Sequence, residues 1–331
     1  MGVHMARRRN PRAKNFGFGN QILYAAKMAL HEYYGGGHFA TVDAHLERFS
    51  LFCDWLYECC NIRDARAVTK ELFVEYALYL GFLLVEDEVE VSTATNRVSS
   101  VNVVLEIMRE DQVVRIDKIA EALGEKRSYI RRSIPDGMDY QEVMKLHSRL
   151  VAEGFPRAAA IVLLARTTGM RLRECILADL PRLYREAILY NRINVQNGCK
   201  GGRSGAFAPR WISISDGIVF ALDYAVSVSP SGSVNLLDPS ESYTRFIYRE
   251  VNPSRKIMKL LGVKGPHELR AAFACQRYQE LVGIPAPVFP RPSGDGTVDA
   301  ELVRAARQIV SRELGHERLS VTNSYLGSET R

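Results

Sequence analysis

The chain has 331 residues, of which 47% are hydrophobic and 25% charged, and its formal net charge is +6. This composition is typical of globular proteins and excludes a fully disordered or fibrous chain, while the length favours two domains. No uncharged apolar run reaches the roughly 18 residues of a membrane span, and no apolar segment follows the basic N-terminus as in a secretory signal, so we expect a cytoplasmic protein with no membrane partner.

The cysteines and histidines give no sign of a metal site. The six cysteines include no C-x-x-C pair, and no histidine lies at metal-ligand spacing from them. Neither a zinc site nor a disulfide framework is therefore indicated. We expect reduced cysteines, no metal and no cofactor.

Charge is distributed unevenly along the chain. Residues 1–14 carry five Lys/Arg and no Asp/Glu (net +5), residues 15–138 carry 13 and 19 (net −6), and residues 139–331 carry 26 and 19 (net +7). A basic start and a basic second half favour a polyanion partner. Basic tails also occur where they serve solubility alone.

Helical spacing of apolar residues dominates the first half. Residues 1–18 are predicted to form a basic flexible arm, and residues 19–134 a helical domain without strands. Its helices are expected over 20–34, 41–60 with Thr41 as the N-cap, 69–83 with Thr69 as the N-cap, and from Ser92-Thr93 through Met108. The aromatic residues Phe49, Phe52, Trp55 and Tyr57 are interpreted as its core.

A break at Pro135-Asp136-Gly137 places the domain boundary at 134–139, with a second domain over 139–331. Six helices are expected near 140–153, 157–168, 216–227, 241–261, 266–282 and 299–314. Two short β-like runs, 188–195 and 210–215, flank a glycine-rich turn and indicate a hairpin. The fold class is therefore mainly α, with a small antiparallel sheet in the second domain.

Four segments of the second half carry residues suited to phosphodiester chemistry. They are Thr168-Gly169-Met170-Arg171 with Glu174, the turn that holds Lys200, His267-Glu268-Leu269-Arg270, and Leu314-Gly315-His316 with Tyr325 nine residues later. Two guanidiniums can fork onto the non-bridging oxygens of a phosphate and neutralise its five-coordinate transition state. Arg171 and Arg270 are the candidates. Arg270 shares a helical face with His267, in a first turn opened by Pro266.

The other residues complete such a site. Lys200 can protonate the departing 5′ oxygen if neighbouring cations lower its pKa. Tyr325 is the candidate nucleophile with His267 as its base, and His316 is a further donor to the phosphate. The second half shows no cluster of carboxylates for two metal ions, which argues against a metal-dependent nuclease.

The order and spacing of these residues resemble those of the tyrosine recombinases, also called phage-type integrases. The resemblance covers the second half and, more weakly, the first, which is similar to the SAM-like core-binding domain of that family. It implies that the catalytic residues are Arg171, Lys200, His267, Arg270, His316 and Tyr325, with Glu174 holding an active-site arginine.

The resemblance also implies how such a protein acts. A 3′-phosphotyrosine intermediate is expected on double-stranded DNA with inverted-repeat core sites. A homo-tetrameric synapse, assembled from monomers or dimers, would exchange strands through a Holliday junction in the bacterial nucleoid. Accessory DNA-bending or directionality proteins are compatible partners.

Basic residues outside the catalytic set are candidate DNA contacts: Arg7, Arg8, Arg9, Arg12, Lys14, Arg131, Arg132 and Arg203. Two features depart from the family pattern. The 45 residues between Arg270 and His316 include an excess in the proline-rich loop 283–297, and only six residues follow Tyr325, where many relatives have a docking helix. We therefore expect assembly through another element, such as the N-terminal arm or this loop.

Integration or excision of a phage or other mobile element is the preferred function. Three alternatives stay open from sequence: chromosome or plasmid dimer resolution by the same chemistry, a DNA-binding regulator that no longer cuts, and a type IB topoisomerase.

Overall fold

The computed structural model describes residues 9–199, 208–290, 299–316 and 318–329. The chain divides into two compact units between Ser128 and Tyr129, each with its own apolar core. Residues 129–138, which include the break predicted from sequence, are grouped with the second unit. Within the described residues, every helix is too short or too polar to cross a membrane.

The described part of the first unit is helical and contains no strand, as predicted. Its α-helices are α1 (Ile22–Tyr34), α2 (Phe39–Cys60), α3 (Lys70–Val85), α4 (Val91–Arg109) and α5 (Ile119–Leu123). Thr69 caps α3 as expected, because its Oγ1 accepts from the N–H of Leu72 at 3.2 Å. Thr41, by contrast, lies inside α2, whose N-cap is His38.

The core of the first unit is aromatic. Phe49 and Phe52 are fully buried, and their rings lie 5.7 Å apart. Tyr57 does not belong to this core: it is 51% exposed, with the Arg63 guanidinium 4.3 Å from its ring centroid.

The segment predicted to be a flexible arm is packed against the first unit from residue 9 onward. Asn15 is fully buried, and its Oδ1 accepts from the N–H of Ala65 at 2.8 Å. Arg9 pairs with Glu110 and lies 4.0 Å from the ring centroid of Phe18. These contacts hold residues 9–18 against the helices, although their composition predicts a flexible arm.

The second unit contains most of the remaining helices and a small sheet. Its α-helices are α6 (Tyr140–Ala152), α7 (Pro156–Thr168), α8 (Leu172–Leu177), α9 (Leu180–Tyr190), α10 (Asp216–Ser227), α11 (Tyr243–Phe246), α12 (Asn252–Leu260), α13 (Pro266–Val282), α14 (Ala300–Glu313) and α15 (Asn323–Leu326). A π-helical turn, Ile247–Val251, joins α11 to α12. Strands β1 (Arg192–Asn194) and β2 (Trp211–Ser213) pair antiparallel, with Ile193 opposite Ile212. Strand β1 is shorter than predicted because residues 188–190 belong to α9, and β2 covers three of the six residues predicted for it.

Helix α7 is the centre of the second unit and packs against α6, α10 and α13. It ends at Gly169, whose φ of 62° is in the left-handed region. A Cβ at Gly169 would lie 2.4 Å from Cδ1 of Phe273 on α13, so glycine permits both the turn and the close approach. This turn brings Arg171 next to α13.

Candidate active site

Arg171 is held by Glu174. It is the N-cap of α8, and its backbone N–H donates to Oε2 of Glu174 at 2.6 Å. Its Nη1 donates to Oε1 of the same carboxylate at 2.8 Å, while 29% of the arginine side chain stays exposed. The arrangement fixes the guanidinium and leaves part of it open to a ligand.

A second arginine, Arg210, also holds Glu174 and was not found from the sequence. Its Nη1 donates to Oε2 of Glu174 at 2.6 Å, and its Nε donates to the carbonyl of Glu313 at 2.7 Å. Burial alone would raise the pKa of Glu174, but Arg210, the N–H of Arg171 and Arg270 together lower it to about 2. The carboxylate is therefore ionised at neutral pH.

Arg270 lies at the base of the site, with only 1% of its side chain exposed. It donates through Nη1 to the carbonyl of Gly169, through Nη2 to the carbonyl of Leu314 at 2.6 Å, and through Nε to Oη of Tyr325 at 3.2 Å. Burial and then the charge of Arg210 lower its pKa to about 10, so it stays protonated at neutral pH. This guanidinium joins three separate segments at one point.

His316 contacts the guanidiniums of Arg171 and Arg270 and the phenol of Tyr325. Its Nε2 is 3.3 Å from Oη of Tyr325, 3.3 Å from Nη2 of Arg270 and 3.4 Å from Nη2 of Arg171. A guanidinium only donates, so Nε2 accepts and the ring proton is placed on Nδ1. Burial, followed by the charges of Arg270 and Arg171, lowers the pKa of His316 to about 3. The imidazole is neutral at physiological pH.

Tyr325 lies on the short helix α15 and is 4% exposed. Arg307 of α14 fixes the chain on both sides of it: Nη1 donates to Oγ1 of Thr322 at 3.0 Å, and Nη2 donates to the carbonyl of Gly327 at 2.9 Å. The phenol is therefore held toward Arg270 and His316 by anchors outside α15 itself.

The described part of the proline-rich loop also contacts this element. The N–H of Val288 donates to the carbonyl of Leu326 at 2.8 Å. A Cβ at Gly327 would lie 2.9 Å from the backbone nitrogen of Val288, so the two segments lie in close contact. Residues 291–297 of the loop lie outside the described residues.

The rings of His267 and His316 lie equally near the phenol ring, with centroids 5.5 and 5.6 Å from that of Tyr325. His316 hydrogen-bonds to Oη of Tyr325, whereas within the described residues the His267 ring makes no hydrogen bond. His267 is exposed as a residue, yet desolvation by the atoms around it, and then the charge of Arg270, lower the pKa of its imidazole. Across the described ranges, no three His, Cys, Asp or Glu side chains come together as a metal site would require.

Solved structures share this architecture, although no family model and no curated protein sequence matches the chain. A Tn1549 transposon integrase variant, in complex with a circular intermediate DNA, aligns over 94% of this chain and 96% of its own, with a TM-score of 0.56 and 13% identity. The fold is that of a tyrosine recombinase. Another integrase variant, in complex with transposon right end DNA, aligns over 92% and 94% with a TM-score of 0.54 and 15% identity. The predicted fold class is thereby confirmed.

Within this tyrosine recombinase fold, Arg171, Arg270, His316 and Tyr325 converge, with His267 beside them.

The other predicted residues divide into three groups. Lys200, Arg203, Arg7 and Arg8 lie outside the described residues. Arg9 pairs with Glu110, and Arg131, 10% exposed, pairs with Glu268, so both guanidiniums form ion pairs within the protein. Arg12, Lys14 and Arg132 are exposed.

Proposed function

We propose that this chain cleaves and rejoins duplex DNA through a covalent 3′-phosphotyrosine at Tyr325. The observation that carries the proposal is the convergence on one phenol oxygen of Nε of Arg270 at 3.2 Å and Nε2 of His316 at 3.3 Å, with Nη2 of Arg171 3.4 Å from the same Nε2. A nucleophile among fixed cations suits attack on an anionic phosphodiester.

The reaction forms one bond and breaks another. Oη of Tyr325 attacks the phosphorus, the bond from phosphorus to the 5′ oxygen breaks, and the 3′ phosphate stays attached to the tyrosine. Arg171 and Arg270 neutralise the charge that grows on the non-bridging oxygens. The phosphodiester is exchanged for a phosphotyrosine ester, so a 5′ hydroxyl can reverse the step and reseal the strand without a nucleotide cofactor.

Two protons must move in this step. The phenol proton leaves Tyr325, and neutral His316 is better placed to accept it than His267, because its Nε2 lies within hydrogen-bond reach. The departing 5′ oxygen gains a proton, which we assign to Lys200. Once the guanidiniums turn from His316 to a bound phosphate, its Nε2 is free to accept.

We further propose that this chemistry serves integration or excision of a mobile element. The fold is shared with the integrase of a transposon, in complexes with circular intermediate and transposon end DNA. A tetrameric synapse on inverted-repeat sites and a Holliday junction belong to this proposal, as do accessory proteins that bend the DNA or set direction.

The test uses a pool of nicked duplexes with a randomised segment, because a nick next to the scissile phosphate lets the leaving fragment diffuse away. We expect wild-type protein to form an adduct that survives denaturation, and sequencing of the trapped DNA to return one inverted-repeat core. Tyr325→Phe should form no adduct, while Tyr248→Phe, at a residue 70% exposed, should match the wild type.

Other results would identify the alternatives. Wild-type protein that binds duplex DNA without any adduct would be a regulator. Adducts spread over all sequences, together with relaxation of supercoiled plasmid, would indicate a topoisomerase.

A further inference from the structure

An open cavity of about 500 Å³ lies beside the active site in the second unit. Arg171 and the buried Arg270 form part of its wall. Its wall also contains three exposed cations. Arg255 and Lys259 belong to α12, and Lys264 lies in the turn that precedes α13. None of these three was singled out by the sequence motifs.

The cavity is positively charged because its cations are not matched by carboxylates. Glu268 is the acidic residue in its described wall, and that carboxylate already pairs with Arg131 and accepts from the N–H of Asp136 at 3.2 Å. Among the described residues, Arg255, Lys259 and Lys264 form no ion pair. Their charges therefore remain available to an anion.

The packing of α12 directs two of these charges to one side. Arg255 and Lys259 are four residues apart and so lie on the same helical face. Ser254 and Met258 are both 2% exposed, so they anchor α12 to the core. Lys256 lies on the same helix but does not line the cavity, which makes it a natural control.

We propose that this cavity binds the DNA phosphates next to the scissile one, with Arg255, Lys259 and Lys264 as their contacts. The inference rests on the proposed function, because Arg171 and Arg270 place the scissile phosphate at the inner wall. The exposed cations then extend the positively charged surface along the same DNA strand. Such contacts position the backbone without reading its sequence.

The experiment measures the affinity of the full-length protein for a random-sequence duplex over a range of KCl concentrations. Each neutralised phosphate contributes about −0.9 to the slope of log affinity against log salt. The triple variant Arg255→Ala, Lys259→Ala, Lys264→Ala should lose about 2 to 3 from the magnitude of this slope. The single variant Lys259→Ala should lose about 1, and Lys256→Ala should lose none.

Two outcomes would overturn the inference: an unchanged slope in the triple variant, or equal losses for Lys256→Ala and Lys259→Ala. The adduct assay separates this failure from failure of the proposed function. If wild-type protein traps nicked DNA while the slopes are unchanged, the chemistry stands and the cavity does not bind phosphates. If the slopes change as expected but no adduct forms, the cavity binds phosphates and the chemistry fails.

Discussion

Glu174 is a single buried carboxylate that orders the arginines of the site. It pairs with Arg171 and Arg210, and Nη1 of Arg270 lies 3.9 Å from its Oε2. Breaking a buried ion pair by removing one partner leaves charge uncompensated, which is more costly than losing an exposed pair. The residue therefore supports both the stability of the second unit and the placement of its guanidiniums.

The variant Glu174→Gln tests whether this carboxylate stabilises the second unit. We expect the free energy of unfolding to fall by about 3–5 kcal/mol, because Arg210 and Arg270 lose their buried counter-charge. Urea denaturation followed by circular dichroism measures the change. Glu142→Gln, which removes an exposed pair with Lys145, should leave the free energy of unfolding nearly unchanged. Similar losses in both variants would contradict the structural role of Glu174.

The lowered pKa of His316 predicts a pH dependence of stability. Its pKa is about 3 in the folded protein, against a reference of 6.5, so the unfolded chain binds the proton more tightly between these values. The free energy of unfolding should therefore fall as the pH drops below about 6.5, by up to about 1.4 kcal/mol per pH unit.

Urea denaturation between pH 7 and pH 5 measures this slope. His316→Asn should make it shallower, whereas His38→Asn, at an exposed histidine of the first unit, controls for loss of an imidazole. Identical slopes in wild type and His316→Asn would show that the protein does not hold this ring neutral.

Among the residues that converge in the candidate site, those that belong to short sequence motifs were predicted from the sequence. Those that join the site only through contacts distant in sequence were missed. Arg171 and Arg270 stand out because motif neighbours surround them. Arg210 has no such neighbours: its partners Glu174 and Glu313 are 36 and 103 residues away. The ion pair of Arg131 was also missed, because its partner Glu268 lies 137 residues away.

Helix α15 depends on contacts from outside the helix. Four residues cannot form a stable helix alone, because the free-energy cost of helix nucleation exceeds the stabilisation that one hydrogen-bonded turn provides. Arg307 donates on both sides of Tyr325 and also pairs with Glu329. The position of Tyr325 is therefore controlled from α14.

Arg307→Lys should loosen this element, because an ammonium cannot span the acceptors that a planar guanidinium reaches. We expect faster amide hydrogen exchange in peptides covering 319–329, with exchange in α7 unchanged, and slower adduct formation. Arg304→Lys, an exposed position on the same helix, should change neither. Unchanged exchange near Tyr325 in Arg307→Lys would refute control from α14.

Long, strongly periodic elements were predictable, and short ones were not. Helices α1, α7 and α13 start and end within about two residues of the sequence boundaries. Helix α8 has six residues, too few to show a period, and α9 ends in an apolar run that favours a strand by composition. Burial of Leu183 and Ala187 packs α9 as a helix, and residues 188–190 continue it with exposed side chains, without the half-buried sheet surface that favours a strand.

At the scale of the whole molecule, the two buried cores come from separate parts of the chain. One core is formed by residues between Ile22 and Leu123, the other by residues between Val143 and Leu326. A domain with its own core can fold alone. We therefore expect residues 129–331 to fold as a fragment with a single cooperative urea transition.

The starting point of that fragment matters, because residues 129–138 contact both α13 and α15, the helix that carries Tyr325. Arg131 pairs with Glu268 of α13, and its backbone N–H donates to the carbonyl of Asn323 at 2.9 Å. A fragment that begins at 139, the boundary taken from sequence, leaves Glu268 partly buried without its partner. It should be less stable than 129–331 by about 2–3 kcal/mol at pH 7.

The same pair predicts how this difference changes with pH. Burial would raise the pKa of Glu268, but the hydrogen bond and charge of Arg131 lower it below the usual 4.5. The stability from the pair is therefore present above pH 4.5 and is lost as the pH falls through the folded pKa. Arg131→Met in 129–331 should remove much of the difference at pH 7, and the two fragments should converge in acid. Equal unfolding midpoints at pH 7 would show that residues 129–138 are only a linker.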